Sequence, residues 1–380
     1  MAHEDDLITV AVALTQPPLP EGGAPGKCAL GLIRGLVGHG IDVRALAARQ
    51  PFAVVGDPPG DLPLEVVDVL PERPGLRHWV REYLDPRGEL GRGGFGRQFR
   101  ELAEAADVAH LEETATAPAG RRLSVPTVLH VHYLVRGDRD LGPPWRRHFR
   151  DVGLFALAEV IGLGHAKHLV ASSPLVADVL RVRTGKDVVL APLSLDPALY
   201  PPAPLDGPPV AGVIGTASWP GTGTAMRRLA LRVWPLVRRE LPDAQLLIAG
   251  RGTERLHDLA REPGVVLAGE VTSAAEWLRG LSLLLFPIDR GSGMKVKVLE
   301  SIASGLPVVT TPVGAEGIDA GDGVVVETDD AALARATVSI LRDPGERRER
   351  GAAGIAAFEA RYAPGPATAP LVDLYRRIAR

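Results

Sequence analysis

The stretch LSLLLFPIDRGSGMKVKVLESIASGLPVV, residues 281–309, contains two apolar strands joined by a loop and a helix. Its first apolar run, residues 281–288, has the length and continuity of a strand that is buried on both faces. The helix that follows ends before Gly305, and Pro307 lies just beyond it, a common combination at the end of a helix. Strand, loop, helix and strand in this order predict a parallel sheet of the Rossmann type.

The same alternation of strand and helix extends through both halves of the chain. We predict an α/β protein with two Rossmann-like, doubly wound parallel-sheet domains facing an interdomain cleft, over residues 1–200 and 208–365. The proline-rich segment 196–209 is interpreted as a linker, and a C-terminal helix at 366–380 is expected to pack back on the first domain. The predicted strands are 8–14, 42–48, 107–112, 126–132, 167–173 and 187–193, then 209–215, 244–250, 265–271, 281–288, 306–314 and 323–327.

Composition excludes several classes of protein. The 380 residues carry a net charge of −3, so the positive surface of a dedicated nucleic-acid binder is not expected. The single cysteine, Cys28, excludes an intrachain disulfide and a cysteine-built zinc site. No apolar run is long enough to cross a bilayer, and acidic residues precede the first one, unlike a secretory signal. We expect a cytoplasmic protein, with membrane association as an open alternative.

The loop at residues 289–293 and the helix after it have the features of an anion-binding site. Two glycines let the backbone approach a ligand, and the helix start offers N–H groups and the positive end of the dipole. Lys295 and Lys297, two of only five lysines in the chain, lie in the predicted first turn. Cations there oppose the dipole by about 0.3–1 kcal/mol each, a conflict that a bound phosphate or diphosphate would remove. The alternative is a solvated pair, with Lys297 bound to Glu300.

Glu300 lies near the edge of the apolar stripe of the same predicted helix. A carboxylate close to a buried face needs partners. The two adjacent hydroxyls of a ribose are one such partner, and Lys297 is the other.

His130 and His132 project from one face of a predicted strand, as two metal ligands would. No third ligand has an obvious place in the sequence. We therefore predict no metal site.

Several of these segments resemble glycosyltransferase family 4. Residues 212–252, 265–271 and 286–318 resemble its nucleotide-sugar-binding domain, and PTVLHVHYL at 126–134 resembles the histidine-bearing strand of its N-terminal domain. The resemblance implies the GT-B fold, an N-terminal acceptor-binding domain and a C-terminal donor-binding domain. It also implies transfer, with retention of configuration, from a nucleoside diphosphate sugar to the hydroxyl of a natural product, glycan or lipid-linked acceptor. The family needs neither a metal nor a cofactor besides the donor.

The resemblance assigns donor-binding roles to the loop and helix. Glu300 resembles the second glutamate of the family's E-x7-E motif, which holds the donor ribose. The first glutamate would fall at Ser292, so the motif is broken here and the contact with the transferred sugar is in question. The backbone of Gly293, Met294 and Lys295 matches the stretch that touches the donor.

Further contacts follow from the resemblance. Arg251, together with Lys295 or Lys297, would form the diphosphate clamp. Gly22 and Gly23 match the loop that approaches the diphosphate from the first domain, and His132 matches the histidine that contacts the donor sugar. The Arg/Lys pair that many members carry after the first strand of the second domain is missing from GTASWPGTG, residues 215–223.

Other functions remain open at this stage. Ser292 allows a catalytically weak or inactive relative that binds sugar nucleotide and supports a partner enzyme. A GT-B sugar-nucleotide epimerase or a plain nucleotide-binding protein are further alternatives. Arginine-rich patches at 71–100, with Trp79, Tyr83 and Phe95, and at 141–151 are interpreted either as contacts for an anionic membrane or as solvated surface.

Overall fold

The structure is a computed structural model that describes residues 7–50, 56–69, 90–91, 93–135, 156–157 and 159–379. The chain forms two compact units, and unit 1 consists of residues 1–196 and 363–380. Unit 2 consists of residues 197–362. The chain therefore leaves unit 1 after Asp196 and returns to it after Tyr362.

Unit 1 contains a seven-stranded sheet in which all paired strands are parallel, in the order β3-β2-β1-β4-β5-β6-β7. The strands are β1 Thr9–Leu14, β2 Asp42–Arg49, β3 Leu64–Asp68, β4 Val108–Glu112, β5 Thr127–Val131, β6 His168–Ala171 and β7 Val188–Leu190. The helices before unit 2 include α1 Ala24–Gly38, α2 Gly94–Glu104 and α3 Pro174–Thr184. Strand β3 was not predicted.

Strand β1 shows how the sheet builds two cores. Val10 and Val12 belong to the apolar cluster on the α1 side, whereas Ala11 and Ala13 belong to the cluster on the α2 side. This alternation follows from the period of two along a strand, and both faces are apolar because helices cover both.

The α2 side of the core also contains Phe95, which is 1% exposed and stacks on Phe99 at 6.4 Å between ring centroids. The interpretation of Phe95 as part of a membrane-contacting patch is therefore wrong, because its ring fills the core. Trp79, Tyr83 and the stretch 141–151 lie outside the described residues.

Unit 2 contains a six-stranded parallel sheet in the order β10-β9-β8-β11-β12-β13. The strands are β8 Val210–Ile214, β9 Gln245–Ala249, β10 Val265–Gly269, β11 Leu283–Phe286, β12 Val308–Thr310 and β13 Val324–Val326. The helices are α4 Pro220–Arg228, α5 Trp234–Glu240, α6 Ala274–Arg279, α7 Val296–Ala303, α8 Asp330–Arg342 and α9 Pro344–Arg361.

Helices α4 and α5 are joined by a π-helical turn, Leu229–Val233. Pro235 lies just after this turn and has no N–H to donate to the preceding turn of helix. A wider π turn accommodates that gap without ending the helix.

The proline-rich segment 196–209 is anchored along unit 2 and does not behave as a free spacer. The N–H of Ala203 donates to the carbonyl of Ser304 at 2.8 Å, and the Arg347 guanidinium donates to the carbonyl of Gly207 at 2.9 Å. Proline has no N–H group, so few backbone donors in this segment need a partner. Its remaining N–H groups and its carbonyls hold the segment against unit 2.

The helix after unit 2 is α10, Pro364–Ile378, and it packs against α1. It begins inside the Pro/Gly-rich stretch because a proline at the first helical position needs no N–H. A Cβ on Gly35 of α1 would lie 2.3 Å from the carbonyl oxygen of Pro364, so this close approach requires glycine. None of the helices in the described ranges has the length and apolarity needed to cross a bilayer.

Candidate active site

The order of strands reverses once in each sheet, and ligands of doubly wound folds bind at the carboxyl ends of the strands beside such a point. In unit 1 the reversal lies between β1 and β4, and in unit 2 it lies between β8 and β11. The residues that follow these four strands are therefore the first to consider. Each unit is described separately.

In unit 2 the ends of β8 and β9 meet very closely. Gly250 has a φ of +117°, and a Cβ at this position would lie 2.1 Å from the carbonyl oxygen of Gly215. The next contact along, from the N–H of Ala217 to the carbonyl of Arg251, measures 2.9 Å. These contacts shape the turn after β8, the turn that lacks the Arg/Lys pair of many family 4 enzymes.

The ammonium of Lys297 reaches this turn from α7. Its Nζ lies 4.3 Å from the centroid of the Phe286 ring and would lie 3.2 Å from a Cβ on Gly215. It forms no ion pair with any carboxylate among the described residues. Burial lowers the pKa of Lys297 to about 8, although the charge of Glu300 opposes this shift. The alternative of a Lys297–Glu300 ion pair is therefore not observed.

Lys295 lies one position before the helix rather than in its first turn, because α7 begins at Val296. Its Nζ donates to the carbonyl of Gly293 at 2.5 Å and lies 3.9 Å from Oε2 of Glu316. Gly293 has a φ of +74°, which turns its carbonyl within the loop. The ammonium of Lys295 thus stabilises the conformation of the loop through its contact with the Gly293 carbonyl. Its part in a diphosphate clamp stays a prediction.

Arg251 follows β9 and leaves 59% of its side chain exposed. Its Nε donates to Oε1 of Glu270 at 3.2 Å. The predicted role in the diphosphate clamp requires the side chain to leave this exposed pair, which is worth little energy in water.

Glu300 is 6% exposed, and its Oε1 accepts a hydrogen bond from the hydroxyl of Tyr200 at 3.1 Å. Tyr200 belongs to the proline-rich segment before β8. Ser292 and Met294, which belong to the predicted donor-binding stretch, are also buried, at 6% and 7% exposed. The donor-binding roles of these residues stay predictions.

In unit 1, Gly22 and Gly23 form the turn between β1 and α1. The N–H of Gly22 donates to the carbonyl of Leu19 at 3.0 Å, and a Cβ on Gly22 would lie 2.9 Å from that oxygen. Gly23 is the extended residue at the start of α1. The close approach to Leu19 therefore favours glycine at residue 22, and the role of both glycines in donor binding stays a prediction.

His132, just after β5, belongs to a buried cluster around the carboxylate of Glu112. Oε2 of Glu112 lies 2.7 Å from Nε2 of His110 and 3.2 Å from Nδ1 of His130. Oε1 lies 2.9 Å from Nε2 of His132, an ion-pair distance with an angle outside hydrogen-bond geometry. Nδ1 of His132 lies 3.6 Å from Oε1 of Glu113.

The charges in this cluster follow from its geometry. Burial raises the pKa of Glu112, but the charges of His132 and His130 and the hydrogen bond from His110 hold it well below its usual value. Burial lowers the pKa of His132, but the negative charges of Glu112 and Glu113 beside its ring outweigh burial and raise the pKa to about 10. Burial lowers the pKa of His130.

Two outer contacts fix the orientation of the other histidines. Nε2 of His130 lies 3.1 Å from the carbonyl of Ala191, which only accepts, so Nε2 carries a proton. Nδ1 of His110 lies 2.6 Å from the hydroxyl of Tyr375 on α10. Burial raises the pKa of Tyr375 well above its usual value, so the phenol keeps its proton.

A metal ion fits this cluster poorly. His110, Glu112 and His130 each bring one ligand atom within 4.8 Å of the others. However, ligand atoms on a tetrahedral zinc ion lie about 3.3 Å apart, given bond lengths of about 2.0–2.1 Å. The 2.7 Å between His110 and Glu112 is the length of a hydrogen bond instead. We assign no metal here.

Glu113 has an unusual backbone conformation, with φ of +66° and ψ of 155°. This region of backbone space is occupied almost only by glycine and costs about 1–3 kcal/mol. The Oε2 of Glu113 accepts a hydrogen bond from the hydroxyl of Thr15, the residue after β1, at 3.1 Å. Strain is thus stored at the point where the strand order of unit 1 reverses.

Sequence reasoning missed several residues that the structure places in the two candidate sites. These residues are Thr15, His110, Glu112, Glu113, Tyr200 and Tyr375. The signal for Glu112 was available, since the predicted strands 107–112 and 126–132 are consecutive and end in polar residues. Pairing them in parallel places Glu112 opposite His130, as observed.

Two parallel-sheet units with candidate sites at their strand ends are the architecture of the GT-B fold, and known structures agree. The sucrose-phosphate synthase of Thermosynechococcus elongatus has a TM-score of 0.68 at 17% identity and covers 97% of this chain and 98% of its own. HepE of Anabaena, solved in complex with UDP-glucose, has a TM-score of 0.62 at 15% identity, with 97% and 99% covered.

Two family models match the two halves of the chain. The glycosyl transferase 4-like domain matches residues 23–194, and glycosyl transferases group 1 matches residues 208–343. The chain therefore belongs to the family 4 type of glycosyltransferases. A lipopolysaccharide core biosynthesis mannosyltransferase, LpsB of Rhizobium meliloti, is 28% identical over 156 residues, which are 37% of this chain and 44% of that protein. The match spans less than half of the relative's length.

Proposed function

We propose that this protein transfers a sugar from a nucleoside diphosphate sugar to the hydroxyl of an acceptor, with retention of configuration and without a metal ion. The observation that carries the proposal is the Lys297 ammonium, which lies beside the turn after β8 without a carboxylate partner in the described structure. A half-buried cation at a strand end beside the reversal point needs an anion, and a diphosphate supplies one.

Unit 2 would bind the nucleotide. Lys297 would take the place of the missing Arg/Lys pair, because it brings a cation to the same turn from a different element, α7. Lys295 and Arg251 would complete the clamp on the diphosphate. Glu300, oriented by Tyr200, would accept hydrogen bonds from both ribose hydroxyls, so a ribonucleotide donor linked to UDP or GDP is favoured over a deoxyribonucleotide.

Unit 1 would supply His132, which would contact the donor sugar, and the backbone of Gly22 and Gly23, which would face the diphosphate. In the family's usual proposal the leaving diphosphate helps to deprotonate the acceptor hydroxyl on the same face of the sugar. The new bond forms between that oxygen and the anomeric carbon as the bond to the diphosphate breaks. The protein would orient the reactants and stabilise the negative charge on the leaving group.

Calorimetry with UDP, GDP and their sugars, with and without a chelator, tests the donor site. Lys297→Met keeps the length and apolar stem of the side chain and removes the charge. We expect it to weaken UDP or GDP binding by about 1.5–3 kcal/mol, or roughly 10- to 100-fold, and to leave nucleoside binding unchanged. The matched control is Lys167→Met at an exposed lysine of unit 1. Loss of binding on chelation would contradict the metal-free proposal.

A second function is favoured by Ser292, which stands where the family has the first glutamate of E-x7-E. A protein with this change would bind the donor and support a partner while turning the donor over slowly or not at all. Mass spectrometry of purified protein with donor and candidate acceptors separates the functions. Glycosylated product supports transfer, binding without conversion supports an inactive relative, and conversion of donor without acceptor supports an epimerase.

The acceptor class and location are part of the proposal. The lipopolysaccharide mannosyltransferase relative makes a glycan or lipid-linked acceptor and a mannosyl donor reasonable first choices for the screen. A cytoplasmic enzyme that reaches a membrane-anchored acceptor would bind anionic vesicles. Sedimentation with vesicles containing anionic lipid tests this directly, and natural-product acceptors form the other arm of the screen.

A further inference from the structure

Both ring nitrogens of His132 face carboxylate oxygens. Nε2 lies 2.9 Å from Oε1 of Glu112, and Nδ1 lies 3.6 Å from Oε1 of Glu113. Ionised carboxylates only accept hydrogen bonds, and a neutral imidazole has one bare nitrogen that would face one of them. The doubly protonated ring places its positive charge beside both carboxylates.

The other two histidines near the carboxylate of Glu112 each have one nitrogen bound elsewhere. Nε2 of His130 is committed to the carbonyl of Ala191, and burial lowers the pKa of His130. His110 uses one nitrogen for Glu112 and the other for the hydroxyl of Tyr375. His132 is therefore the group best placed to balance the buried charge of Glu112.

We infer that Glu112 is a positioning residue that keeps His132 as an imidazolium with a fixed ring orientation. His132 then acts as a fixed positive charge toward the bound donor, and not as a base. This inference rests on the proposed function for its use in catalysis, but the charge of His132 is a property of the unliganded protein. The elevated pKa of His132 supports it.

Nitrogen NMR of the histidine side chains in the ¹⁵N-labelled protein tests the charge directly, and His132→Gln assigns the resonance. We expect the wild-type His132 ring to keep the shifts of an imidazolium at pH 8 and to titrate near pH 10. A wild-type midpoint near the ordinary value of about 6.5 would overturn the inference without any variant.

Three variants show how much each carboxylate contributes to the raised pKa of His132. Glu112→Gln should move the midpoint of His132 down toward about 6.5, and Glu112→Asp, which keeps the charge, should retain a raised midpoint. Glu113→Gln should lower it less, because its oxygen lies farther away. A midpoint that stays high in a folded Glu112→Gln protein would overturn the role of Glu112. If Glu112→Gln does not fold, the wild-type titration and Glu112→Asp decide.

Turnover gives a second readout. In Glu112→Gln the alkaline limit of donor turnover should move to lower pH, with a larger loss in kcat than a change in KM. A purely structural role would lower activity at all pH values without moving that limit. Should no turnover be found with any donor, the proposed function fails while the NMR result still decides the inference about Glu112.

Discussion

His132 in unit 1 and Lys297 in unit 2 are cations near the ends of the central strands, and their surroundings shift their pKa values in opposite directions. In unit 1 two carboxylates lie beside the ring of His132, and its pKa is raised to about 10. In unit 2 the ammonium of Lys297 meets the face of Phe286, no carboxylate in the described ranges pairs with it, and its pKa is lowered to about 8.

The charge of His132 is paired with carboxylates inside the fold, whereas the charge of Lys297 is paired with no carboxylate among the described residues. The negative charges of the neighbouring carboxylates stabilise the imidazolium of His132, so we expect the ring to stay protonated at physiological pH. The Lys297 ammonium is stabilised mainly when an anion arrives, because its desolvation is otherwise offset only weakly. Each of the following predictions changes one side of this comparison, from the largest expected effect to the smallest.

Removing the carboxylate in unit 1 should destabilise the fold far more than removing the cation in unit 2. Glu112→Ala removes the carboxylate that three buried histidines share and should lower the free energy of unfolding by about 3–5 kcal/mol. Lys297→Met removes a desolvated charge and should leave stability unchanged or slightly higher. Urea unfolding of both variants checks this, and equal losses would mean that the two cations are held alike.

The two cations should lose their charges at different pH values. Affinity for UDP should fall by up to about tenfold per pH unit above pH 8, as Lys297 becomes a neutral amine. The contribution of the raised His132 pKa to stability is full below about 6.5 and is lost only as pH rises through about 10. Binding should therefore weaken before the fold does, which calorimetry and thermal unfolding between pH 7 and pH 10 will show.

The control for this pH dependence is Lys297→Met, in which the dependence should be absent. A fall in affinity above pH 8 that persists in Lys297→Met would assign the titration to another group.

Tyr200→Phe should weaken UDP binding by about 0.5–1.5 kcal/mol and reduce the preference for UDP over 2′-deoxy-UDP. The reason is that the Tyr200 hydroxyl orients Glu300 through one hydrogen bond. Calorimetry with the two nucleotides measures the preference. Tyr362→Phe, which loses a hydroxyl bonded to the N–H of Asp319, is the matched control. An unchanged preference in Tyr200→Phe would remove Glu300 from the ribose site.

Glu113→Gly should be more stable than Glu113→Ala by about 1 kcal/mol. Both variants lose the hydrogen bond to Thr15, but only glycine adopts the observed backbone angles without strain. Denaturant unfolding of the pair isolates the strain. If Glu113→Ala is as stable as Glu113→Gly, or more stable, the backbone at residue 113 is not strained.

The family and the GT-B fold were predicted from the sequence, and both predictions are confirmed. The central strands were readable because burial on both faces makes them continuous apolar runs, as in Leu283–Phe286. The missed strand, Leu64–Asp68, lies at the edge of the sheet with no fully buried residue, and prolines precede it. Its sequence therefore carries little of the hydrophobic signal.

The candidate site of unit 2 was easier to find than that of unit 1 because its parts are close in sequence. Gly293, Lys295 and Lys297 follow one another in one loop and helix start, so the coincidence of glycine, helix start and cations suggested an anion site. The partner of His132 lies on another strand, and only the register of β4 against β5 brings Glu112 to it. The contact between the Lys297 ammonium and the Phe286 ring depends equally on packing.

The return of the chain to unit 1 as α10 constrains how the protein is made. His110 and Tyr375 are 265 residues apart in sequence, and Leu371 and Tyr375 fill the same apolar cluster as Val10 and Val12. Unit 2 is contiguous and complete once residue 362 has left the ribosome, whereas unit 1 lacks one wall of its core until α10 emerges. Pulse proteolysis of chains ending at residue 362 should therefore digest unit 1 and spare unit 2. The first half of the polypeptide to be synthesised is therefore expected to be the last to finish folding.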